Sequence, residues 1–138
     1  MAANLQFKRE LSSLGAITAL VDAFYAKVVA DDVLGPVFED IDLPRHKPKI
    51  YAYWRRMLLG EHDAYRRNMI ARHQALHARQ PLQHRHFERW LTLFLDTVDE
   101  RFRGTTADRA RHLASTIAAN LETLLKHSGQ HREHHDRA

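Results

Sequence analysis

The spacing of apolar residues is the feature of this chain that most constrains its fold. Apolar side chains recur three and four residues apart along most of its length, and no stretch alternates apolar and polar residues. This period places them on one face of an α-helix. The clearest stretches are about 13–31, 45–59, 83–102 and 105–126, with a shorter one at 70–77. We therefore predict an all-α fold.

Glycine, proline and serine mark where these helices begin and end. Ser13 precedes the first helix as a cap, while Gly60 and Gly104 stand where C-terminal glycines are expected. The segment LGPVFEDIDLP contains Gly35 and two prolines, so it is expected to be a connection that turns the chain. Phe38 would project from this connection into the core.

The length of 138 residues suits one domain with a sizeable core. We expect this domain to span residues 1–126. Residues 127–138 are polar and contain four histidines, so we expect a tail without a fixed structure and with incidental metal affinity.

Charge and cysteine content narrow the classes of partner. The 21 basic and 17 acidic residues give a net charge of +4 that is spread along the chain, which permits nucleic-acid binding but does not indicate it. The chain has no cysteine, and a reducing compartment such as the cytoplasm is the simplest location. No stretch approaches the roughly 20 apolar residues of a membrane span. We expect neither a nucleic-acid nor a membrane partner.

Four polar or amphipathic side chains fall on helix faces that should be buried: Tyr25, His46, His73 and Trp90. Each one taken alone is most simply a core residue with a satisfied polar tip. They lie on four different helices, however, and helices packed around one cavity can direct all four towards a common ligand. A flat apolar cofactor is the natural candidate.

Two other interpretations of these residues stay open. His73 and His77 are four residues apart on a helix and can share a zinc ion. The chain is also compatible with a helical protein-interaction module that carries no cofactor. His84 and His86 are two residues apart, point in different directions and are expected at the surface.

Four separated blocks of sequence resemble one family. They are DAFYAKVVADDVLGPVF, RHKPKIYAYWRRMLLG, ARHQAL and HFERWLTLFLDTVDERFRG, and together they cover roughly residues 14–126. In order and spacing they are similar to the group III truncated haemoglobins of bacteria, and the Gly-Gly signatures of the other truncated groups are missing. The resemblance implies a truncated globin fold, a reduced helical sandwich around one haem b.

The resemblance also assigns roles to individual residues. His73 would be the proximal iron ligand, and the distal side of the pocket would be lined by Tyr25, His46, Ile50 and Trp90. His46 would hydrogen-bond the ligand, swing out to open a path or bind the iron. The expected contacts with the cofactor are His73, Phe38, His46, Lys49, Ile50, Trp54, Arg72, His77 and Phe94, of which Lys49, Arg72 and His77 are candidates for binding the haem propionates.

The function implied by the resemblance is reversible binding of O₂ at a five-coordinate iron, with NO, CO, cyanide or peroxide as further ligands. Hydrogen bonds from Tyr25 and Trp90 would slow the release of O₂. The alternative is an enzyme that performs NO dioxygenation or peroxidase-like turnover. Because the sequence contains no flavin or nicotinamide motif, such an enzyme would need an external reductase.

Overall fold

The computed structural model describes residues 8–60, 73–78 and 81–136, with side chains as far as Lys126. Six helices and two short strands follow one another in these ranges. In chain order they are β1 (Arg9–Glu10), α1 (Leu14–Ala30), α2 (Gly35–Phe38), α3 (Leu43–Leu59), α4 (73–78), α5 (His84–Arg101), β2 (Phe102–Arg103) and α6 (Thr105–Asp136). The predicted all-α class is confirmed, since each strand has only two residues.

The ends of α1 and α3 follow from side chains that cap them. The Ser13 hydroxyl accepts a hydrogen bond of 3.1 Å from the backbone N–H of Ala16, and Asp42 does the same for Arg45 at 3.3 Å. Gly60 ends α3 in the left-handed conformation, with φ of 74°, which glycine adopts without steric cost. The boundaries of both helices agree with the prediction to within about two residues.

The connection between α1 and α3 is shaped by Asp31 and Gly35. The Asp31 carboxylate accepts hydrogen bonds from the backbone N–H groups of Val33 and Leu34, at 3.1 and 3.0 Å. A side chain at Gly35 would place its Cβ 3.0 Å from the Val29 carbonyl oxygen, so any other residue there would require the backbone to shift by a few tenths of an ångström. The segment predicted as a plain connection therefore contains one helical turn, α2, which positions Phe38.

The core lies where α1 packs on α3 and α5, and α6 packs against α5 and contributes Ala107, Ala110 and Ala114 to the same core. Its largest fully buried side chains include Phe24 from α1, Phe94 from α5 and Phe102 from β2. Burying a side chain of this size removes apolar surface from water and contributes roughly 1.5–3 kcal/mol. The packing leaves open space between α3, α5 and α6.

A short parallel pairing joins the N-terminal segment to the turn between α5 and α6. Arg9 is opposite Phe102, and the Arg9 guanidinium lies 5.8 Å from the centre of the Phe102 ring. The sequence did not predict these strands, because two residues are too few for an alternating pattern to be recognised. Leu11, which follows β1, is fully buried.

The last helix is longer than predicted. We expected α6 to end near residue 126, but its backbone stays helical to Asp136. Residues 127–136 contain no proline, and their glutamine, glutamate and arginine are compatible with a helix. The domain boundary at 126 stays a prediction. For the ranges described above, no helix combines the length and the apolar character needed to cross a bilayer.

Candidate functional site

A cavity of about 360 Å³ lies between the helices, within the size range of small-molecule sites. All six helices contribute to its wall. Eight of the residues predicted for the site line it: Tyr25, Phe38, His46, Lys49, Ile50, Trp54, His73 and Trp90. The rest of the lining is apolar apart from His86 and the hydroxyl of Tyr53, and consists of Leu34, Val37, Ile41, Leu43, Tyr53, Ala75, Leu76, Leu82, His86, Phe87, Ile117, Ala118 and Leu121.

The four side chains that looked unusual as core residues share this one cavity. Tyr25 comes from α1, His46 from α3, His73 from α4 and Trp90 from α5. A wall that is otherwise largely apolar presents these polar groups to whatever occupies the space. An apolar body with a few precisely placed polar contacts is the usual composition of a cofactor site.

Tyr25 and Trp90 are neighbours in the wall. Burial raises the pKa of Tyr25 to about 12, and the nearby Trp90 indole N–H opposes this rise by lowering the pKa. Tyr25 is therefore neutral at physiological pH. Since an indole nitrogen can only donate, the hydroxyl hydrogen of Tyr25 stays available for an acceptor in the cavity.

Phe94 lies behind the wall and supports it. Its ring stacks on Trp54, with centroids 4.8 Å apart, and on Trp90, with centroids 5.4 Å apart. It was predicted as a cofactor contact but does not line the cavity. The reason is geometric: Phe94 is four residues after Trp90 on α5, and the two tryptophans stand between it and the open space.

On α3 the residues that line the cavity occupy one face. His46, Lys49 and Ile50 are three and four residues apart, and Asp42 fixes the start of the helix one turn before His46. The backbone N–H of His46 donates to the Asp42 carbonyl at 3.1 Å. Their partial exposure leaves both His46 and Lys49 in reach of a ligand at the cavity mouth.

On α4, His73 faces the cavity together with Ala75 and Leu76, whereas His77 turns elsewhere. The Nδ1 of His77 accepts a hydrogen bond of 2.9 Å from the backbone N–H of Leu82. That bond occupies one ring nitrogen of His77 and leaves Nε2 as the atom that the zinc alternative would use. Arg72, predicted as a propionate partner, lies outside the described residues.

No group of three or more histidine, aspartate or glutamate side chains is arranged to hold a metal ion within the described ranges. Zinc bound by protein side chains normally has at least three such ligands. A metal that arrives inside an organic ligand needs far fewer, because the ligand supplies most of the coordination.

His86 is the site residue that sequence analysis missed. It was expected at the surface with His84, yet only 7% of it is exposed and it lines the cavity. Its Nδ1 accepts a hydrogen bond of 2.8 Å from the backbone N–H of Gln83. One signal was available: His86 stands four residues before Trp90 and so shares its helix face. His84 is exposed as predicted, and its ring pairs with Glu122 and Glu88.

The residues present fit a haem. Such a ligand needs aromatic and aliphatic walls, one neutral imidazole for the iron and polar groups for its carboxylates and for a gas ligand. The cavity offers Trp54 and Phe38 as aromatic wall, His73 as the imidazole, and the Tyr25–Trp90 pair as donors. The side chains of the cavity therefore match the groups that a haem requires.

Known proteins resemble this chain over most of its length. A sequence model of the family described as bacterial-like globin matches residues 11–130. The group 3 truncated hemoglobin ctb of Campylobacter jejuni is 32% identical over 130 residues, which cover 90% of this chain and 99% of that protein. A crystal structure of group III truncated hemoglobin from Campylobacter jejuni superposes with a TM-score of 0.73 at 31% identity, covering 86% of this chain and 94% of that one. The predicted truncated globin fold is confirmed.

Proposed function

Since the chain belongs to the bacterial-like globins and is of the group III truncated type, we propose that it binds one haem b and reversibly binds O₂ and other diatomic gases. One observation carries the proposal. A histidine that can bind iron and a tyrosine–tryptophan donor pair line the same, mostly apolar cavity. A haem iron supplies the position at which a gas binds, and the chain supplies everything around it.

His73 is the proposed proximal ligand. A neutral imidazole binds iron through one ring nitrogen and needs an acceptor for the N–H on the other. His73 is partly buried and is flanked in the wall by the apolar side chains of Ala75 and Leu76.

Tyr25 and Trp90 are the proposed donors to the gas ligand. The Tyr25 hydroxyl and the Trp90 indole N–H both belong to the cavity wall, and each can donate one hydrogen bond to an acceptor inside it. A ligand that gains negative charge on binding is held by such a donor. Ile50 and Phe38 keep this part of the cavity apolar, which strengthens the interaction.

The other predicted residues take supporting roles. Trp54 forms part of the wall against the flat face of the cofactor, and Phe94 holds both tryptophans in place from behind. Lys49 is the proposed cationic partner for a propionate. His77 uses Nδ1 for its bond with Leu82, and its Nε2, which has no partner among the described residues, is proposed for the same purpose. His46 lines the cavity on the α3 side, where it can contact the gas ligand.

The proposal is tested by adding haem to the purified protein and recording its absorption spectrum. We expect a Soret band with one haem per chain. His73→Ala should lose the iron–imidazole signature in resonance Raman spectra, and added imidazole should restore it. The control is His112→Ala, an exposed histidine on α6, which should behave like the wild type. Unchanged iron ligation in His73→Ala would reject the assignment.

The donor pair also favours a second candidate function, NO dioxygenation or peroxidase-like turnover with an external reductase. Hydrogen bonds that slow the release of a ligand are a disadvantage for delivery, but they extend the time available for reaction. Rapid mixing of the O₂-loaded protein with NO, followed by repeated cycles with a reductant, separates the two functions. A carrier stops after one cycle, whereas an enzyme continues.

A further inference from the structure

The hydrogen bond that His86 makes with its own helix fixes which ring nitrogen carries the proton. Nδ1 accepts from the Gln83 N–H at 2.8 Å, so it cannot carry a hydrogen itself. In the neutral ring, the hydrogen must then be on Nε2. Burial and the nearby Arg85 lower the pKa of His86, which keeps the ring neutral at physiological pH. His86 is therefore a donor through Nε2.

This donor has no partner among the residues that the structure describes. The ring is more than nine-tenths buried, and the neighbouring wall is apolar, with Leu82, Phe87 and Leu121. The Nε2 atom of His86 is nevertheless not fully enclosed, so it keeps contact with the open space of the cavity. The natural place for that acceptor is the cavity that His86 lines.

The position of His86 indicates what the acceptor is. His77 of α4 is bonded to the backbone of Leu82, which lies at the entrance to α5, so His86 belongs to the α4 side of the cavity. His73 is on this side too, and it would occupy the iron there. A gas ligand would bind on the opposite face, near Tyr25. On the His73 side, the peripheral carboxylates are the hydrogen-bond acceptors that a haem presents.

The start of α5 also favours an anion. The first turn contains no acidic residue, and Arg85 lies next to His86. Backbone N–H groups at a helix N-terminus add partial positive charge. From the cavity, the buried imidazole and the helix end, we infer that His86 donates a hydrogen bond from Nε2 to a haem propionate. This inference rests on the proposed haem function and adds a residue to that site.

Substitution of His86 by asparagine or by glutamine tests the roles of its two ring nitrogens one at a time. In His86→Asn, the side-chain oxygen can replace Nδ1 as acceptor for the Gln83 N–H, while the Nε2 donor is lost. In His86→Gln, the amide nitrogen can replace Nε2, while the contact with Gln83 is lost. If His86→Asn does not fold, His86→Gln still carries the test, since it should hold haem as firmly as the wild type per folded molecule.

The measurement is the rate at which each protein loses protohaem, or protohaem dimethyl ester, to an excess of apomyoglobin. We expect His86→Asn to lose protohaem roughly 10-fold faster than the wild type, because a donor to a charged acceptor is removed. With the dimethyl ester, which has no carboxylate, the two proteins should agree to within about twofold. His84→Asn, an exposed change in the same turn, should match the wild type with both haems.

The outcomes distinguish this inference from the function on which it rests. Equal acceleration for both haems would show that His86 acts only through the structure of the wall, and no acceleration with protohaem would show no contact; either result overturns the inference alone. Faster loss of protohaem from His86→Gln, equal to that from His86→Asn, would do the same. A wild type that binds neither haem would overturn the proposed function as well.

Discussion

The Arg89 guanidinium lies 2.7 Å from the Asp31 carboxylate and joins α5 to the end of α1. Asp31 is nearly buried, with 6% of its side chain exposed, and it also accepts hydrogen bonds from two backbone N–H groups of the turn before α2. One carboxylate therefore holds together the connection that positions Phe38 beside the cavity.

Replacing Asp31 should destabilise the fold in a pH-dependent way. Asp31→Ala loses the carboxylate that accepts hydrogen bonds from the backbone of the turn. This loss should lower the free energy of unfolding by about 1–2 kcal/mol at neutral pH. The hydrogen bond from Arg89, followed by those from Leu34 and Val33, holds the pKa of Asp31 below its ordinary value. A lowered folded pKa means that the stabilisation is complete above the ordinary pKa and is lost as the pH falls through the folded one.

Urea unfolding at several pH values checks this prediction. The free energies of unfolding of wild type and Asp31→Ala should differ near pH 6 and converge as the pH falls through the lowered pKa of Asp31. Asp32→Ala, at the exposed neighbouring position, is the matched control and should follow the wild type. A difference that stays constant with pH would show that the charge of Asp31 is not involved.

Removing the Tyr25 hydroxyl should speed the release of O₂. If the proposed donor role is correct, Tyr25→Phe should raise the dissociation rate by roughly 5- to 150-fold, which corresponds to about 1–3 kcal/mol. Trp90→Phe should raise the rate as well, because its indole N–H is the second proposed donor in the cavity wall. The double variant should then show less than the product of the single effects.

Flash photolysis or stopped-flow displacement with CO measures these rates. Tyr51→Phe is the control, because this tyrosine bonds to Asp22 away from the cavity and should leave O₂ release unchanged. Fully multiplicative effects in the double variant would mean that Tyr25 and Trp90 act independently.

Truncating Phe94 should weaken the whole fold. Phe94 is 1% exposed and stacks between Trp54 and Trp90, so Phe94→Ala leaves a cavity and should cost about 3–5 kcal/mol. The two tryptophan rings would lose their shared support, and the near-ultraviolet circular dichroism of the folded protein should decrease. Leu124→Ala, at a site that is 41% exposed, should stay within about 0.5 kcal/mol of the wild type.

Arg109, which belongs to α6, should stabilise the C-terminal end of α3. Its guanidinium donates to the carbonyl oxygens of Met57 and Leu58, at 3.1 and 3.4 Å. These carbonyls have no partner within the last turn of a helix. Arg109→Met keeps much of the apolar stem and should cost about 1 kcal/mol of unfolding free energy. Hydrogen exchange at Gly60, whose N–H closes that turn, should become faster, and unchanged exchange would contradict the role.

The sequence was sufficient for the long helices because each buries one continuous face. It was insufficient where structure depends on a few backbone contacts. The turn α2 exists because Asp31 bonds to two N–H groups, and the β1–β2 pairing joins Arg9 to Phe102, far apart in the chain. Neither arrangement leaves a periodic pattern.

The same contrast holds for the site. Tyr25, His46, His73 and Trp90 could be identified because polar groups on buried faces are unusual. His86 was missed because its visible partner is a backbone N–H of Gln83, which any residue could supply. Phe94 was predicted to contact the cofactor because residue spacing shows which face of a helix a side chain is on. Spacing does not show that the ring of Trp90 stacks on Phe94 and separates it from the cavity.

The pairing of β1 with β2 also sets an order of events during synthesis. At roughly 5–20 residues per second, Arg9 leaves the ribosome about 5–20 seconds before Phe102 does. Until then Leu11, fully buried in the finished protein, has no completed site to enter. The segment around Leu11 is thus made well before its place in the fold is complete, and a nascent chain that stalls before residue 102 should leave this segment exposed to proteases and chaperones.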